Sequence, residues 1–182
     1  LQVGCAVNNV ETLLNVSLAA EGVPVTHKWI TVAGAVQRPS SFLVPVGITA
    51  REAIDLAGGP TVPDAVALEG GAMMGRPLPD LSAVVTKTTG GYIVLPREHR
   101  LFQRKMAPES QKVRIARAAC DQCSFCTELC PRYLLGYAIE PHKVMRSVGF
   151  TGERMEGWAQ LGLLCCECSL CDLFSCPEDL PP

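Results

Sequence analysis

The chain reads Cys120-Asp-Gln-Cys123-Ser-Phe-Cys126-Thr-Glu-Leu-Cys130-Pro131 and, after a spacer, Cys165-Cys166-Glu-Cys168-Ser-Leu-Cys171-Asp-Leu-Phe-Ser-Cys176-Pro177. These two runs hold nine of its ten cysteines. Each run contains a series of three thiols with two residues between neighbours, then a fourth cysteine followed by proline. One short loop of this kind can offer three thiolates to three irons of a cube, so the spacing is typical of [4Fe–4S] clusters. The sequence therefore predicts a pair of such clusters.

The fourth cysteine of each run lies too far along the chain to close on the same cube. In two-cluster ferredoxins it binds the other cluster. We therefore predict that one cluster is held by Cys120, Cys123, Cys126 and Cys176, and the other by Cys165, Cys168, Cys171 and Cys130. Crossed ligation would keep the clusters close together, which favours the transfer of single electrons between them.

The second run departs from the simple pattern at two places. Four residues separate Cys171 from Cys176, and Cys166 adds a thiol beside Cys165. We predict Cys165 as the ligand because it keeps the two-residue interval to Cys168. Cys166 is then predicted to be a buried thiol that lies near the cluster without binding it.

Two other uses of the cysteines fit the pattern less well. Zinc sites usually have two Cys-x2-Cys pairs that are well separated in sequence, rather than three cysteines in a tight series before Cys-Pro. A disulfide framework belongs to oxidising compartments, and no secretory signal precedes these residues. Iron–sulfur binding remains the prediction.

Length and charge limit the remaining classes of function. A chain of 182 residues with a cysteine-poor front and a cysteine-rich back predicts two small domains. A net charge of −2 and a pI of about 5.9 provide no basic field for nucleic acid. No uncharged apolar run is long enough to span a bilayer. The chain opens at Leu1 without a methionine, so we expect it to be a piece of a longer protein.

The first 96 residues alternate helix and strand patterns. Either Asn8 or Asn9 can cap the start of a short helix that follows, and Gly22 is suited to its end. Thr49 and Glu52 form a predicted capping box for a second helix at 50–57. Residues that favour β-structure predict five strands, of which the first two and the last two form hairpins: 29–36, 42–46, 65–68, 84–86 and 92–95.

The residues after Pro96 predict helices. A charged stretch at 97–108 is interpreted as a linker. Helical patterns follow at 109–119, 141–146 and 154–164. A helical spacer between the cysteine runs favours an α-helical ferredoxin domain over the compact β-α-β ferredoxin.

The chain resembles the RnfC/PduS group of iron–sulfur electron-transfer proteins. The resemblance rests on Asn8-Asn-Val-Glu-Thr12, on Val32-Ala-Gly-Ala-Val36 through Gly59, on Gly70-Gly-Ala-Met-Met-Gly75, and on Cys120-Asp-Gln-Cys123 through Arg146. It implies that residues 25–96 form a soluble-ligand-binding β-grasp (SLBB, ubiquitin-like) domain. In that group a domain for FMN and NADH precedes the Asn-Val-Glu-Thr segment, so both cofactors are expected only upstream of this chain.

The expected fold class is therefore α+β, a small β-grasp domain followed by an α-helical ferredoxin-like domain with two clusters. The predicted organisation is a helical segment from the end of the flavin domain, the SLBB domain, a linker and the two-cluster domain, at 1–24, 25–96, 97–108 and 109–182.

The cysteine runs predict electron transfer through two [4Fe–4S] clusters, and the resemblance implies that the chain is the electron-accepting part of a reductase that uses NADH and flavin. No residue is predicted to be catalytic. The expected partners are a flavin domain or redox protein and a corrinoid or ferredoxin-like acceptor. The expected location is the cytoplasm, the cytoplasmic face of a membrane complex, or a bacterial microcompartment. The alternative is a module that binds a corrinoid or another soluble ligand and has mainly structural metal sites.

Overall fold

A computed structural model describes residues 4–150 and 152–180 and divides them into two compact units. The first unit contains the residues up to 70 together with 78–96, and the second contains 71–77 and the residues from 97 onward. The first unit is built on a sheet, and the second is mainly helical. The predicted α+β class is confirmed.

A mixed sheet organises the first unit. Within this unit the strand order is β2-β1-β5-β3. β1 pairs antiparallel with β2 and parallel with β5, which pairs antiparallel with β3. Gly34 ends β1 with a φ of +88°, and a Cβ there would lie 2.2 Å from the carbonyl oxygen of Val94, so this close crossing requires glycine. The strands are β1 (His27–Gly34), β2 (Ser40–Pro45), β3 (Ala65–Glu69), β4 (Arg76–Leu78) and β5 (Gly91–Pro96).

The helix α2 (Ala50–Leu56) packs on this sheet. Thr49 caps its first turn, and Glu52 completes the predicted capping box. Its buried residues recur at helical spacing and pack in one apolar core with residues of the strands and loops. This core includes Ile30, Val32, Val36, Val44, Ala50, Ala53, Ile54, Ala57, Ala67, Leu81, Val85, Tyr92 and Val94.

The first helix, α1 (Val10–Ala20), begins at the predicted place, with Asn9 accepting a hydrogen bond from the backbone N–H of Glu11. It has no buried residues. Its Glu11 carboxylate pairs with the ammonium group of Lys28 in β1. Lys28 is only 9% exposed. This ion pair ties α1 to the sheet, because a lysine this deeply buried needs a partner of opposite charge.

The predicted hairpin between 84–86 and 92–95 is wrong. Val84 makes only an isolated bridge with Thr49, while β5 pairs with β1 and β3. The local pattern gave two plausible strands, but pairing with residues far away in sequence determines the neighbours of β5.

The second unit consists mainly of short helices. The stretch 97–108, interpreted from its charge as a linker, contains α3, and Phe102 in this helix is only 2% exposed. The predicted helices at 109–119, 141–146 and 154–164 are confirmed. The elements are α3 (Arg100–Met106), α4 (Glu109–Ala119), α5 (Phe125–Glu128), α6 (Pro131–Leu134), α7 (Pro141–Gly149), α8 (Glu153–Gln160), a 3-10 helix (Leu161–Leu164) and a π-helical turn (Cys171–Ser175).

None of the helices in the described residues is both long and apolar enough to cross a bilayer.

Candidate metal centre

The three cysteines of the first series are positioned by two helices. Cys120 caps the C-terminus of α4, and Cys126 lies in α5. Together with Cys123 they border a pocket, which Cys176 of the second run also lines. The structure therefore brings together all four thiols that we predicted for one cluster.

The second series has a corresponding neighbour in the first run. Burial raises the pKa of the Cys168 thiol, and the charges of Cys166 and Cys130 raise it further. Cys130 itself is buried, just before Pro131 starts α6. The pocket places Cys176 with the series of the other run, which is the arrangement that crossed ligation requires, and the charge of Cys130 acts on Cys168 of the second series.

The two loops share an unusual backbone pattern. Gln122 and Ser124, which flank Cys123, have φ angles of 63° and 71°. Glu167 and Ser169, which flank Cys168, have φ angles of 52° and 58°. Left-handed residues beside right-handed ones can turn successive backbone N–H groups toward one concave site, a feature of many Fe–S loops. The match makes Cys168 the counterpart of Cys123.

By this alignment Cys165, rather than Cys166, is the counterpart of Cys120. Cys165 accepts a hydrogen bond from the backbone N–H of Glu167 at 3.2 Å. Cys166 was predicted to be buried, but it is only partly buried. The tenth cysteine, Cys5, is exposed and lies in the other unit.

The extra residue of the second run is accommodated by a π-helical turn. Cys126 lies in the short α-helix α5, whereas its counterpart Cys171 begins a π-helix that ends at Ser175. A π-turn closes over one more residue than an α-turn, so it absorbs an insertion without unwinding the chain. Cys176 therefore directly follows its helical turn, whereas Leu129 separates α5 from Cys130, and both cysteines precede a proline.

One side chain donates directly to a cysteine sulfur of the first loop. Nε2 of Gln122 lies 3.0 Å from Sγ of Cys120 and 3.2 Å from the carbonyl oxygen of His142. His142 is held in turn by Thr127, whose hydroxyl oxygen lies 2.7 Å from its Nδ1 and accepts from its backbone N–H. The cysteine spacing gave no indication of the role of Gln122, since a residue between two ligands is usually only a spacer.

The most enclosed thiols are set to remain protonated until metal binds. Burial, followed by the charges of Cys123 and Cys120, raises the pKa of Cys126 to about 11. Burial and then Cys165 and Cys126 raise the pKa of Cys171 to about 12. Because a metal ligand must be a thiolate, binding here would release protons.

An arginine outside both runs anchors the second one. The guanidinium of Arg104 in α3 contacts the carboxylate of Asp172 at 2.6 Å and also pairs with Asp179. It donates to the backbone oxygens of Asp172 and Leu180 as well, at 2.6 and 3.2 Å. The residues that it holds lie on both sides of Cys176. Sequence reasoning missed this role because it placed Arg104 in a linker.

The donor set fits iron–sulfur clusters. Thiols from both runs line one pocket, and backbone and side-chain N–H groups reach two of the sulfurs, as in Fe–S sites. Within the residues that the structure describes, no three Cys, His, Asp or Glu side chains converge closely enough to hold a single metal ion.

Comparisons with known proteins agree with this chemistry. Residues 119–181 match the 4Fe-4S dicluster domain family, and residues 29–77 match the SLBB domain family. Cobalamin reductase PduS of Salmonella typhimurium is 45% identical over 181 residues, which cover 99% of this chain and 40% of that protein. This chain is PduS/RnfC-like.

Two further relatives support this assignment. Cobalamin reductase PduS of Citrobacter freundii is 43% identical over 183 residues, which cover 100% of this chain and 41% of that protein. A component of the proton-translocating ferredoxin:NAD(+) oxidoreductase complex of Clostridium ljungdahlii is 29% identical over 134 residues, covering 72% of this chain and 27% of that component. The chain thus spans about two fifths of the length of its PduS relatives. These matches support iron–sulfur electron transfer and do not favour the corrinoid-binding alternative.

Proposed function

We propose that this PduS/RnfC-like chain passes single electrons through two [4Fe–4S] clusters. Cys120, Cys123, Cys126 and Cys176 bind the first cluster, and Cys165, Cys168, Cys171 and Cys130 bind the second. The observation that supports this best is that thiols from both cysteine runs line one pocket. Such a pocket forms only if the fourth cysteine of one run crosses to the other.

The chain's own residues have three tasks in this function. Their thiolates fix the position of each cluster, and the left-handed residues beside Cys123 and Cys168 direct loop N–H groups toward the sulfurs. The burial of Cys126 and Cys130 limits the access of water. Bound clusters would supply one-electron redox chemistry, and N–H donors and solvent access set their potentials.

The electron donor and acceptor belong to the proposal as well. A flavin in an upstream domain or in a partner, reduced by NADH, would supply electrons to the clusters. The names of the relatives, a cobalamin reductase and a component of a ferredoxin:NAD(+) oxidoreductase complex, suggest a corrinoid or a ferredoxin-like protein as the acceptor. We place the protein in the cytoplasm, in a microcompartment or at a membrane complex, since its thiols must stay reduced.

Anaerobic reconstitution with iron and sulfide tests the cluster assignment. The chain should bind about eight irons and show two reducible [4Fe–4S] centres by electron paramagnetic resonance. Cys176→Ala should disturb one centre and Cys130→Ala the other. Cys5→Ala is the matched control, and it should retain all of the iron because Cys5 lies in the other unit.

The choice between Cys165 and Cys166 can be tested in the same way. Cys165→Ala should lose a centre, whereas Cys166→Ala should retain both. A colourless protein that binds two zinc ions would contradict the proposal as a whole. Full iron retention in Cys176→Ala would contradict the crossed ligation alone.

A further inference from the structure

The left-handed residues on either side of Cys123 and Cys168 allow the two cysteine loops to be aligned residue by residue. Gln122 immediately precedes Cys123, and Glu167 immediately precedes Cys168. These two residues have similar φ angles, 63° and 52°. They therefore occupy equivalent positions, and any difference between their side chains distinguishes two otherwise similar sites.

Gln122 provides a donor that Glu167 lacks. The Nε2 group of Gln122 donates to the Sγ of Cys120 at 3.0 Å and to the backbone oxygen of His142 at 3.2 Å. Both of these partners are acceptors, so they require the NH2 end of the amide and define its orientation. An ionised glutamate has only acceptor oxygens, so Glu167 cannot make the same bond.

In the second loop the corresponding sulfur has only a backbone donor from this residue. The N–H of Glu167 lies 3.2 Å from Sγ of Cys165, and the Glu167 side chain is exposed. The half-buried amide of Gln122 is thus an addition that is specific to the first loop. A donor to a cysteine sulfur stabilises the extra negative charge of a reduced cluster and raises its potential.

Other charged groups also lie near the first loop: Arg117 and Arg146 line a second pocket with Cys120 and Gln122, and substitutions of Gln122 leave both arginines in place. Asp121 and Glu178 line the first loop's own pocket, and their negative charges oppose reduction. Both side chains are exposed, so water and salt screen them, whereas the Gln122 amide touches the sulfur directly. Cys126 and Cys130 provide one buried thiol to each proposed ligand set, so burial by itself does not separate the sites.

We infer that Gln122 raises the reduction potential of the cluster bound by Cys120, Cys123, Cys126 and Cys176 above that of the neighbouring cluster. This difference in potential sets the direction of electron transfer between the two clusters. This inference rests on the proposed function. One electron from a reduced flavin would reduce the cluster that the set containing Cys165 would hold. That cluster would be oxidised again as the electron passes on and reduces the cluster that the set containing Cys120 would hold. No proton or further reactant is needed for this step.

The test is a redox titration of the full chain, reconstituted anaerobically and followed by electron paramagnetic resonance. The wild type should give two midpoint potentials. Gln122→Leu and the nearly isosteric Gln122→Glu should lower the higher midpoint and leave the lower one in place. Glu167→Gln, a change at an exposed residue, should raise the lower midpoint and so reduce the difference between the two midpoint potentials.

Gln111→Leu and Gln111→Glu are the matched controls, since Gln111 is exposed on α4. They should move neither midpoint. The inference is overturned if the Gln122 variants bind full iron but shift neither midpoint, or shift only the lower one. If the Gln122 variants lose their clusters, the Glu167→Gln variant provides the test. An unchanged lower midpoint potential in that variant would count against the inference. A wild-type chain that binds no cluster would instead contradict the proposed function.

Discussion

The two units of the chain are stabilised by different means. The sheet unit has a broad apolar core, in which Ile30, Val32, Ile54 and Val94 are almost fully buried. In the helical unit, one described cluster contains only Ala116, Met145 and Leu180, and Cys120 and Cys176 pack against it. Hydrophobic burial therefore explains the first unit, whereas in the second unit two of the proposed metal ligands, Cys120 and Cys176, take part in the described apolar packing.

Exposed apolar residues occur in both units, and Val7 and Val10 of the first unit are 96% and 80% exposed. Leu134, Leu135, Leu163 and Phe174 in the helical unit are between 68% and 87% exposed. Side chains in solvent contribute little to stability, and small domains with a limited core often depend on metal or disulfides. We expect the folding of the helical unit to be coupled to cluster binding.

The largest expected effect comes from removing the clusters. Chelation of iron should leave β1 and β5 protected from hydrogen exchange, because their core contains no metal ligand. Helices α4, α5 and α7 should exchange faster by more than about tenfold, because local unfolding then costs less free energy. Hydrogen exchange read by mass spectrometry measures both units in one sample. Equal protection of the helices with and without iron would contradict the comparison.

The second largest effect is expected from a substitution that disturbs the sheet unit alone. Ile54→Ala should lower the free energy of unfolding of this unit by about 2 to 5 kcal/mol, since it opens a cavity at a side chain that is 0% exposed. Denaturation followed by circular dichroism measures the loss, and the iron content should not change. Leu56→Ala in the same helix is the control. Leu56 is 48% exposed, so its truncation should cost less than about 1 kcal/mol.

A smaller effect is expected at Arg104. Arg104→Met should destabilise the helical unit by about 2 kcal/mol, because it leaves the partly buried Asp172 without its partner. A chelator should then extract iron several times faster than from the wild type. Arg100→Met is the control, since Asp179 is the one carboxylate among the described residues that pairs with Arg100, and Arg100 is 78% exposed. Equal rates of iron loss in the two variants would show that Arg104 does not anchor the second run.

The smallest effect is expected at the start of α2. Thr49→Ala removes the capping hydroxyl and should cost about 1 kcal/mol of stability in the sheet unit. Thr49→Ser keeps a hydroxyl that can accept from the backbone N–H of Glu52, so it should retain most of this energy. Thermal unfolding compares the two variants. A loss as large in the serine variant as in the alanine variant would exclude capping as the cause.

The features that could be predicted from sequence depend on residues close together in the chain. The capping box of Thr49 and Glu52, the hairpin of β1 and β2 and the helix α4 all have local signals, and all are present. The wrong hairpin at 84–86 and the helix within 97–108 depend instead on distant partners. Local patterns do not encode those partners, because pairing and burial are decided by the whole fold.

By itself, the sequence determined the chemistry of this protein. Two cysteine runs before proline predict iron–sulfur binding, because a cube requires thiolates at fixed intervals along a short loop. Only the tertiary structure decided which groups surround those thiols. It brought the amide of Gln122 to the sulfur of Cys120 and the guanidinium of Arg104 to the π-turn. These contacts join residues through packing and electrostatics in space, and spacing along the chain cannot specify them.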